Sequence, residues 1–332
     1  MKKLIIYLKP TGPFHLQSGG EDHESIAYYP ESDMLSSAVM YWWFRQFDTI
    51  KGFPEKLPFQ FSSTFPAVLD KNGCKKLYPK PPDIDIDPDT HNHKVFKKIK
   101  WIDQTLFNRW QTGDDLSEAI PKDSESKFLK RGGAVWVSKD HNNFNNRPLL
   151  KSHARTRVTL DRINSASTPF HFVTAHYAPD TLLWFFADVK PAREDKLMTL
   201  LRLLGDEGIG ADKTVGMGSF KIHAIEQQAN ESSDTEKWFN MGIYNPEPKY
   251  ADTTINWLES YYQLTQRGGW VSGTTLRRKP VPTVQSNALL VSPKKPVGSI
   301  RCVLDKDDEN IPKDNRPDYS VYRDCRGYFL PC

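Results

Sequence analysis

Four glycines lie within eleven residues, from Gly208 to Gly218, and the elements on either side of them constrain the fold more than any other feature. Leucines recur at helical spacing over residues 197–204, which predicts an amphipathic helix that ends at Gly205. Apolar and polar residues then alternate over 220–224, which predicts a strand. The phosphate loops of P-loop and dinucleotide-binding folds precede the helix that they open. Here the loop follows its helix, so both of these nucleotide-binding folds are excluded.

The same loop could still lie against a phosphate backbone. Glycine has no Cβ, so it adopts positive φ readily and leaves backbone N–H groups accessible to an anion. Lys213 lies inside the loop and Lys221 follows it. We therefore expect the loop and these two lysines to approach phosphate groups. A plain connection between helix and strand is the alternative that stays open.

Charge is mild in total but uneven along the chain. The 45 Lys and Arg residues against 41 Asp and Glu give a net charge of +4, which alone does not indicate a nucleic-acid partner. Residues 260–304 and 141–160, however, contain basic residues and no acidic ones. We predict that these two stretches bind a polyanion, with solvated faces as the alternative. The acidic residues from Asp305 to Asp318 are expected to form an exposed tail away from that surface.

Composition excludes several other classes of protein. The longest apolar runs, residues 4–8 and 182–187, fall far short of the roughly 18 to 20 residues that span a bilayer. The basic N-terminus is followed by too few apolar residues for a signal peptide, so it is predicted to be a first strand. The four cysteines lie far apart without a CxxC pair. We expect a cytoplasmic protein with free thiols, no metal and no cofactor.

The pattern of elements predicts an α+β protein in two domains. The first begins with the strand at 4–8 and with a helix that is capped by Ser32 or Asp33 and runs to about Phe47. Residues 70–150 are expected to be an insertion that holds one helix, over Val95–Trp110, and an extended hairpin.

Further elements are predicted beyond the insertion. Alternating residues predict a strand with one basic face over 155–161, and residues 181–188 a buried strand. The polar run 230–236 is the best linker. A smaller domain follows, with a strand at 241–244, a helical or mixed stretch at 252–264, a turn at 267–269 and two or three strands around 280–304.

Several motifs together resemble one known family. Residues 208–218 match the glycine signature of the RAMP (repeat-associated mysterious protein) superfamily of CRISPR proteins, except that Ala211 replaces its fourth glycine. The subfamily is indicated by motifs that resemble the fourth subunit of the type III-A Csm effector complex, namely residues 16–19, 32–38, 161–162 and 264–270. Residues 70–150 and 305–332 carry little of the resemblance. The related type III-D arrangement stays open.

The resemblance implies a fold and a role. It implies two ferredoxin-like (RRM-like) domains, 1–229 and 237–332, with a glycine-rich loop and with the 70–150 insertion as a thumb that wedges into the guide–target duplex. Such a subunit has no chemistry of its own. It grips the 5′ repeat-derived handle of the CRISPR RNA (crRNA). Its implied partners are the crRNA, the large polymerase-like subunit, the backbone RAMP subunit and target RNA near the thumb.

Candidate RNA-binding residues follow from the motifs and the basic stretches, since single-stranded RNA is held by cations, backbone amides and stacking aromatics. In a turn, Trp270 is a candidate for stacking. For Arg162, an ion pair with Asp161 is an equal alternative. The candidates are Ser18, Gly19, Arg155, Arg157, Arg162, Gly208, Gly210, Lys213, Gly216, Gly218, Lys221 and Arg267, with Arg277, Arg278 and Lys279 as further phosphate contacts.

Two other functions remain as alternatives. Some RAMP relatives cleave repeat RNA with a histidine, so His15, His23 and His153 are candidates for a metal-free endoribonuclease site. None lies in a convincing catalytic constellation, and Asp33 is better explained as part of a helix N-cap. The third hypothesis is a generic adaptor that uses surface Trp and Tyr residues. We expect a noncatalytic RNA-binding subunit without catalytic residues.

Overall fold

The computed structural model describes residues 1–17, 26–47, 49–84, 93–116, 119, 127–138, 144–161, 163, 166–229, 234–248, 254–271, 274, 276–309, 311, 316 and 318–332. Its helices are α1 (Ser32–Gln46), α2 (His93–Lys98), α3 (Gln104–Gln111) and α4 (Glu194–Glu207). The strands of the N-terminal part are β1 (Lys2–Pro10), β2 (Leu16–Gln17), β3 (Ile26–Ala27), β4 (Phe59–Phe61), β5 (Phe65–Asp70), β6 (Gly73–Pro79), β7 (Trp101–Asp103), β8 (Leu129–Lys130), β9 (Val135–Trp136), β10 (Leu150–Leu160), β11 (Ser167–Tyr177), β12 (Thr181–Val189) and β13 (Phe220–Gln228). Those of the C-terminal part are β14 (Lys237–Asn240), β15 (Asn256–Tyr261), β16 (Leu264–Arg267), β17 (Val281–Val284), β18 (Ala288–Val291), β19 (Ser299–Leu304), β20 (Val321–Cys325) and β21 (Phe329–Pro331).

The N-terminal part is built on one large sheet with β1 near its centre. The strand order is β13-β1-β12-β5-β6-β7-β9-β8, with β4 also paired to β12. Side chains of β1 alternate between two cores. Leu4, Ile6 and Leu8 pack with α1 and α4, whereas Ile5 and Tyr7 pack on the opposite face. Both faces of the sheet are covered, so the whole middle of β1 is apolar, as the sequence indicated.

The two long helices agree with prediction except at their ends. Helix α1 begins at Ser32, but Glu31 occupies the N-cap position without a side-chain capping bond, so the assignment of Ser32 or Asp33 to the cap is wrong. Helix α4 continues through Gly205 to Glu207 and ends at Gly208. Gly205 is needed inside the helix for packing, because a Cβ there would lie 2.4 Å from the carbonyl oxygen of Phe220.

The segment 70–150 differs from the predicted insertion. Its described residues form two short helices, α2 and α3, separated by β7, rather than one helix over Val95–Trp110. The helix breaks because the Asp103 carboxylate accepts from the backbone N–H of Leu106 at 2.9 Å and caps α3. Strands β6 to β9 extend the main sheet. The insertion does contain a hairpin, formed by β8 and β9, but it is short. The long hairpin of the N-terminal part is formed by β10 and β11, which pair along their whole length.

The C-terminal part is dominated by strands. Its main sheet has the order β15-β18-β14-β21, and β16–β17 and β19–β20 are separate hairpins. Two or three strands were expected around 280–304, and three are found there, β17, β18 and β19. The strand predicted at 241–244 lies at Lys237–Asn240, and the helical or mixed stretch at 252–264 contains β15 and the start of β16. Among the residues described in 234–332, none forms an α-helix.

The two parts share one hydrophobic core. Phe239, Met241 and Tyr328 of the C-terminal part pack with Trp184 and Phe186 of β12. The rings of Tyr328 and Phe186 are stacked with centroids 5.3 Å apart. The C-terminal part, together with α2 and α3, therefore covers the face of the sheet that α1 and α4 leave open. None of the helices in the described ranges is long and apolar enough to cross a membrane.

Candidate nucleic-acid interface

The glycine loop is packed tightly against neighbouring backbone. A Cβ on Gly210 would lie 2.5 Å from the carbonyl oxygen of His15, and one on Gly218 would lie 2.0 Å from that of Ile209. A Cβ on Gly216, in contrast, would meet nothing within 4 Å. Two of these glycines are thus required by close packing, while Gly216 faces open space. All the motif glycines have positive φ, namely Gly208 (86°), Gly210 (99°), Gly216 (81°) and Gly218 (75°).

Part of the loop backbone is engaged within the protein. The N–H of Ala211 donates to His15 at 3.0 Å, and the N–H of Gly218 donates to Pro13 at 2.8 Å. These bonds tie the loop to the connection between β1 and β2. The N–H groups of Gly208, Ile209 and Gly216 also donate to backbone carbonyl oxygens, so the predicted phosphate contacts are left to the few loop amides that make no such bond. Lys213 is half-buried at the start of a short 3₁₀ turn, and Lys221 is exposed on β13.

The hairpin of β10 and β11 has one face of cations and rings. The predicted basic face of the strand is confirmed, since Lys151, His153, Arg155 and Arg157 alternate along β10. Alternating cations and aromatic rings are typical of surfaces that bind single-stranded nucleic acid. Arg155 is exposed and makes no ion pair within the described part of the chain. The residues directly opposite on β11 are His176, Thr174, Phe172 and Phe170.

The hairpin and the glycine loop are joined through Arg157. Its Nη1 lies 2.5 Å from Oδ2 of Asp212, and its guanidinium lies 3.9 Å from the ring centroid of Phe172. The ring of His15 stacks on the same Phe172 at 4.1 Å. Arg157 is thus already held by an acid and a ring, and its contact with RNA stays a prediction.

The candidate nuclease histidines do not form a catalytic group. His15 is 1% exposed and its Nδ1 lies 2.7 Å from the carbonyl oxygen of Val173, so it cannot reach a substrate in this arrangement. The ring of His153 contacts that of His176 at 4.6 Å. His23 lies outside the described residues. Over the described ranges, no three metal-binding side chains come together.

Arg267 lies in a buried ion-pair cluster rather than on the surface, contrary to our expectation for an RNA contact. Its Nε and Nη2 donate to the carboxylate of Asp33 at 3.2 Å and 3.0 Å. The guanidinium also pairs with Glu31, and Arg323 pairs with Asp33 and donates to Gly268. The carboxylate of Asp33, which we predicted to be part of the N-cap of α1, therefore neutralises arginines instead.

Burial and charge set the pKa values of this cluster. Burial alone would raise the pKa of Asp33, but Arg267 and Arg323 outweigh it and hold that pKa below its usual value. For Glu31, burial dominates and raises the pKa despite the attraction of Arg267. Burial favours loss of the proton from Arg267, but Asp33 and Glu31 together raise its pKa. Arg267 and Asp33 therefore remain a charged pair at neutral pH.

A cleft with a volume of about 380 Å³ brings the separate motifs together. Helix α1 forms one wall, and the glycine loop forms another from Gly208 to Lys213. The third wall comes from the C-terminal part, with residues 267–271, Arg278 and 319–323. The glycine motif and the motif at 264–270, far apart in sequence, thus line the same space. Lys213 and Arg278 are two of the cations in it.

The three consecutive cations at 277–279 have different surroundings. The guanidinium of Arg277 lies over the ring of Trp270, 4.5 Å from its centroid, and Arg278 is half-buried in the cleft. Lys279 pairs with Asp308 at 2.9 Å. The acidic stretch after residue 304 is therefore not a separate tail, because it connects β19 to β20 and one of its carboxylates neutralises this lysine.

Sequence reasoning missed several residues of the cleft. Tyr319 and Arg323 line the cleft, and they directly follow the stretch Asp305–Asp318 that we predicted to be an exposed acidic tail. Ser36 belongs to the motif at 32–38 and lies outside the cleft lining, but its bond was not predicted: its hydroxyl donates to Asp324 at 2.9 Å. The only available signal was the polar motif at 32–38 inside an otherwise amphipathic helix. The predicted RNA contacts Ser18, Gly19 and Arg162 lie outside the described residues.

Comparisons with known proteins agree with this arrangement. Residues 39–221, more than half of the chain, match the model of the RAMP superfamily. The chain is similar to the CRISPR system Cms protein Csm4 of Thermococcus onnurineus (strain NA1), at 26% identity over 140 residues. That match covers 41% of this chain and 43% of the relative, so it spans less than half of the relative's length.

Solved structures share the fold over the whole chain. One match is a chain in the Csm3–Csm4 subcomplex of the type III-A CRISPR-Cas interference complex, with a TM-score of 0.65 and 16% identity over 100% of this chain and 99% of that chain. Another is a chain in the Csm1–Csm4 cassette in complex with cA4, with a TM-score of 0.56 and 14% identity over 99% of this chain and 97% of that chain. At these identities the likeness shows the fold alone.

Proposed function

Because the chain belongs to the RAMP superfamily, we propose that it is the noncatalytic subunit of a type III-A CRISPR (Csm) effector complex that caps the 5′ handle of the crRNA. Such a subunit contributes to RNA-guided antiviral defence by binding and positioning RNA, and it works in the cytoplasm. The single observation that carries the proposal is the cleft between α1, the glycine loop and the C-terminal part. It is lined by three of the motifs that carry the resemblance, 32–38, 208–218 and 264–270, with cations and aromatic rings between them.

The order of elements supports a ferredoxin-like first domain. Along the chain, β1, α1, β4, β12, α4 and β13 follow the strand–helix–strand–strand–helix–strand order of that fold. In the sheet these strands have the order β13-β1-β12-β4, with α1 and α4 packed in the same core. We propose a boundary near 229–237. For the second domain, the four-stranded sheet supports a related platform, although its described residues form no α-helix.

We place the contact with target RNA at the β10–β11 hairpin instead of the 70–150 insertion. The described strands of the insertion are part of the main sheet, and most of their apolar residues are buried. The hairpin is largely exposed, and Val158, Leu160 and Ile163 near its tip are 53%, 67% and 96% exposed. An apolar tip on a basic ribbon is suited to contacts with base pairs beside phosphates.

Two protein partners are part of the proposal. The structural relatives were solved as Csm3–Csm4 and Csm1–Csm4 assemblies. We propose that this chain docks a backbone RAMP subunit and the large polymerase-like subunit in the same way. The exposed side chains of Leu258 and Tyr261 on the edge strand β15, and of Leu264 at the start of β16, are candidates for one of these contacts.

The test is binding of the purified chain to a single-stranded RNA that begins with the repeat-derived handle, against a scrambled RNA of equal length. Binding is measured across a salt series, where each phosphate contact contributes roughly 0.7 to the slope, and the products are run on a gel. Lys213→Ala should weaken binding of the handle RNA. Lys71→Ala is the matched control, since Lys71 is exposed in the β5–β6 turn, away from the cleft lining.

Each outcome separates the competing functions. Preference for the handle with intact RNA supports the capping role. Cutting at one site would favour the repeat-processing endoribonuclease. Equal binding of both RNAs, or none at low salt, would contradict handle recognition by this chain alone and favour the adaptor hypothesis.

A further inference from the structure

The ion-pair cluster beside the cleft contains more cations than anions. Arg267 pairs with both Asp33 and Glu31, and Arg323 pairs with Asp33. Arg278 is the third arginine of this wall, close enough to Arg323 and Arg267 for their charges to act on it. Asp324, the next carboxylate along, is already paired with Arg326 at 2.7 Å. Among the described residues, three arginines therefore share two carboxylates, which leaves one positive charge unbalanced there.

Arg278 carries that excess charge. Its Nε is buried and has no hydrogen-bond partner among the described residues, and its side chain makes no ion pair there. The Nε of Arg323, whose side chain is 4% exposed, likewise has no partner in that part of the chain. Buried donors are nearly always hydrogen-bonded in folded proteins, because an unpaired one loses its water without compensation. Two such donors on one wall of a cleft indicate a missing acceptor.

The two neighbours of Arg278 in the sequence both have interaction partners. Lys279 is neutralised by Asp308, and Arg277 covers the ring of Trp270. Burial and the charge of Arg323 lower the pKa of Arg278 to about 10, so it is still a cation at neutral pH but an electrostatically strained one. An anion entering the cleft would relieve that strain.

We propose that the cleft contains a specific subsite for one phosphate group, with Arg278 as its main ligand. A phosphate oxygen accepts well from the fork of donors that a guanidinium presents, and the added negative charge balances the excess arginine. Lys213 lines the same cleft and adds a second cation. The subsite deepens the proposed function and rests on it, since the phosphate would belong to the handle RNA.

The first experiment uses the full chain and inorganic phosphate, followed by calorimetry and by thermal unfolding. Wild type and Arg202→Met, a control on the exposed side of α4 and outside the cleft lining, should bind phosphate alike and show the same rise in Tm. Arg278→Met should bind at least tenfold more weakly and lose the rise. Without phosphate its Tm should equal or exceed that of wild type, because the substitution removes an uncompensated buried cation. Arg278→Lys, which keeps the charge but loses Nε, should bind with intermediate affinity.

Two results would overturn the subsite. One is phosphate binding by Arg278→Met that matches wild type, and the other is a wild-type protein on which phosphate has no effect. A fall in Tm of Arg278→Met without phosphate would also contradict it, because the arginine would then be stabilising the empty cleft.

A second experiment separates the subsite from the function and identifies the phosphate. Handle RNA with a 5′-phosphate and with a 5′-hydroxyl is titrated into wild type and Arg278→Met. If Arg278→Met loses affinity only for the 5′-phosphorylated RNA, the subsite holds the terminal phosphate. If it loses affinity for both RNAs, the subsite holds an internal phosphate. Handle RNA bound equally by both proteins would refute the subsite and leave the proposed function intact. Phosphate bound through Arg278 without handle recognition would refute the function and leave the subsite.

Discussion

Arg267 donates from Nε and Nη2 to the two carboxylate oxygens of Asp33, at 3.2 Å and 3.0 Å, across 234 residues of sequence. The bond joins the first turn of α1 to the end of β16. Ser32 adds a second link, because its hydroxyl oxygen accepts from the backbone N–H of Ile243 at 2.7 Å. The walls of the cleft are therefore held in place by the polar side of α1.

Asp33→Asn should destabilise the protein strongly. Among the described residues, the substitution leaves Glu31 alone to neutralise the buried Arg267 and Arg323, and breaking a buried ion pair costs about 3 to 5 kcal/mol. Unfolding in urea measures the loss. Glu194→Gln is the control, since it removes a partly exposed pair with Lys2 that should contribute less than about 1 kcal/mol. Equal effects of the two substitutions would contradict the role of the cluster.

Comparing Gly218→Ala with Gly216→Ala separates the two reasons why the loop needs glycine, close packing and a positive φ. Both glycines have positive φ, which costs an L-residue roughly 1 to 2 kcal/mol. Only at Gly218 would the new Cβ also meet a backbone oxygen, that of Ile209 at 2.0 Å. Overpacking adds about 1 to 3 kcal/mol, so we expect Gly218→Ala to lose about 2 to 5 kcal/mol of unfolding free energy in total. If Gly216→Ala lost as much, the close approach would not matter.

Arg155→Ala should remove one phosphate contact without affecting the fold. Arg155 is exposed and unpaired within the described part of the chain, so its side chain stabilises nothing there. The salt dependence of binding should fall by roughly 0.9 in slope for a guide–target duplex, or by roughly 0.7 for single-stranded handle RNA. Arg202→Ala, on the exposed side of α4, is the control and should leave the slope unchanged. An unaltered slope for Arg155→Ala would exclude the basic face of the hairpin.

RNA binding should strengthen as the pH falls below about 6.5, the usual pKa of histidine. Burial, with the charges of His153 and Arg155, lowers the pKa of His176 from that value, so it is neutral at pH 7. Lys151 lies directly opposite His176 on β10. Phosphates at this face would stabilise the protonated form, and affinity therefore rises as His176 gains its proton. His176→Gln should flatten the pH dependence between pH 7.5 and 5.5. A profile identical to wild type would show that the face does not contact RNA.

Sequence periodicity predicted the elements that bury a continuous apolar face. The strands β1, β12 and β13 and the body of helix α4 were found where alternation or helical spacing placed them. The errors fell where a polar side chain decides the local structure. Asp103 starts α3 and breaks the expected long helix, and Asn240 bonds to Gly242 and ends β14 before residue 241.

The site was harder to predict because charge partners are set by tertiary structure. Arg267 and Arg157 both occur in stretches without acids, which suggested free cations. In the fold, acids distant in sequence, Asp33 and Asp212, reach them. The glycine motif was easier to find, because the need for positive φ and for close backbone contact is local.

The link between Asp33 and Arg323 has a consequence for synthesis of the chain. The two residues are 290 positions apart, so the first turn of α1 leaves the ribosome long before Arg323 is synthesised. Until Arg323 is made, the carboxylate of Asp33 lacks one of the two arginines that neutralise it. The first domain therefore cannot reach its final packing alone. Contacts of such long sequence separation slow folding and expose apolar surface meanwhile. We therefore expect fragments that end before residue 323 to aggregate even when they contain the whole glycine loop.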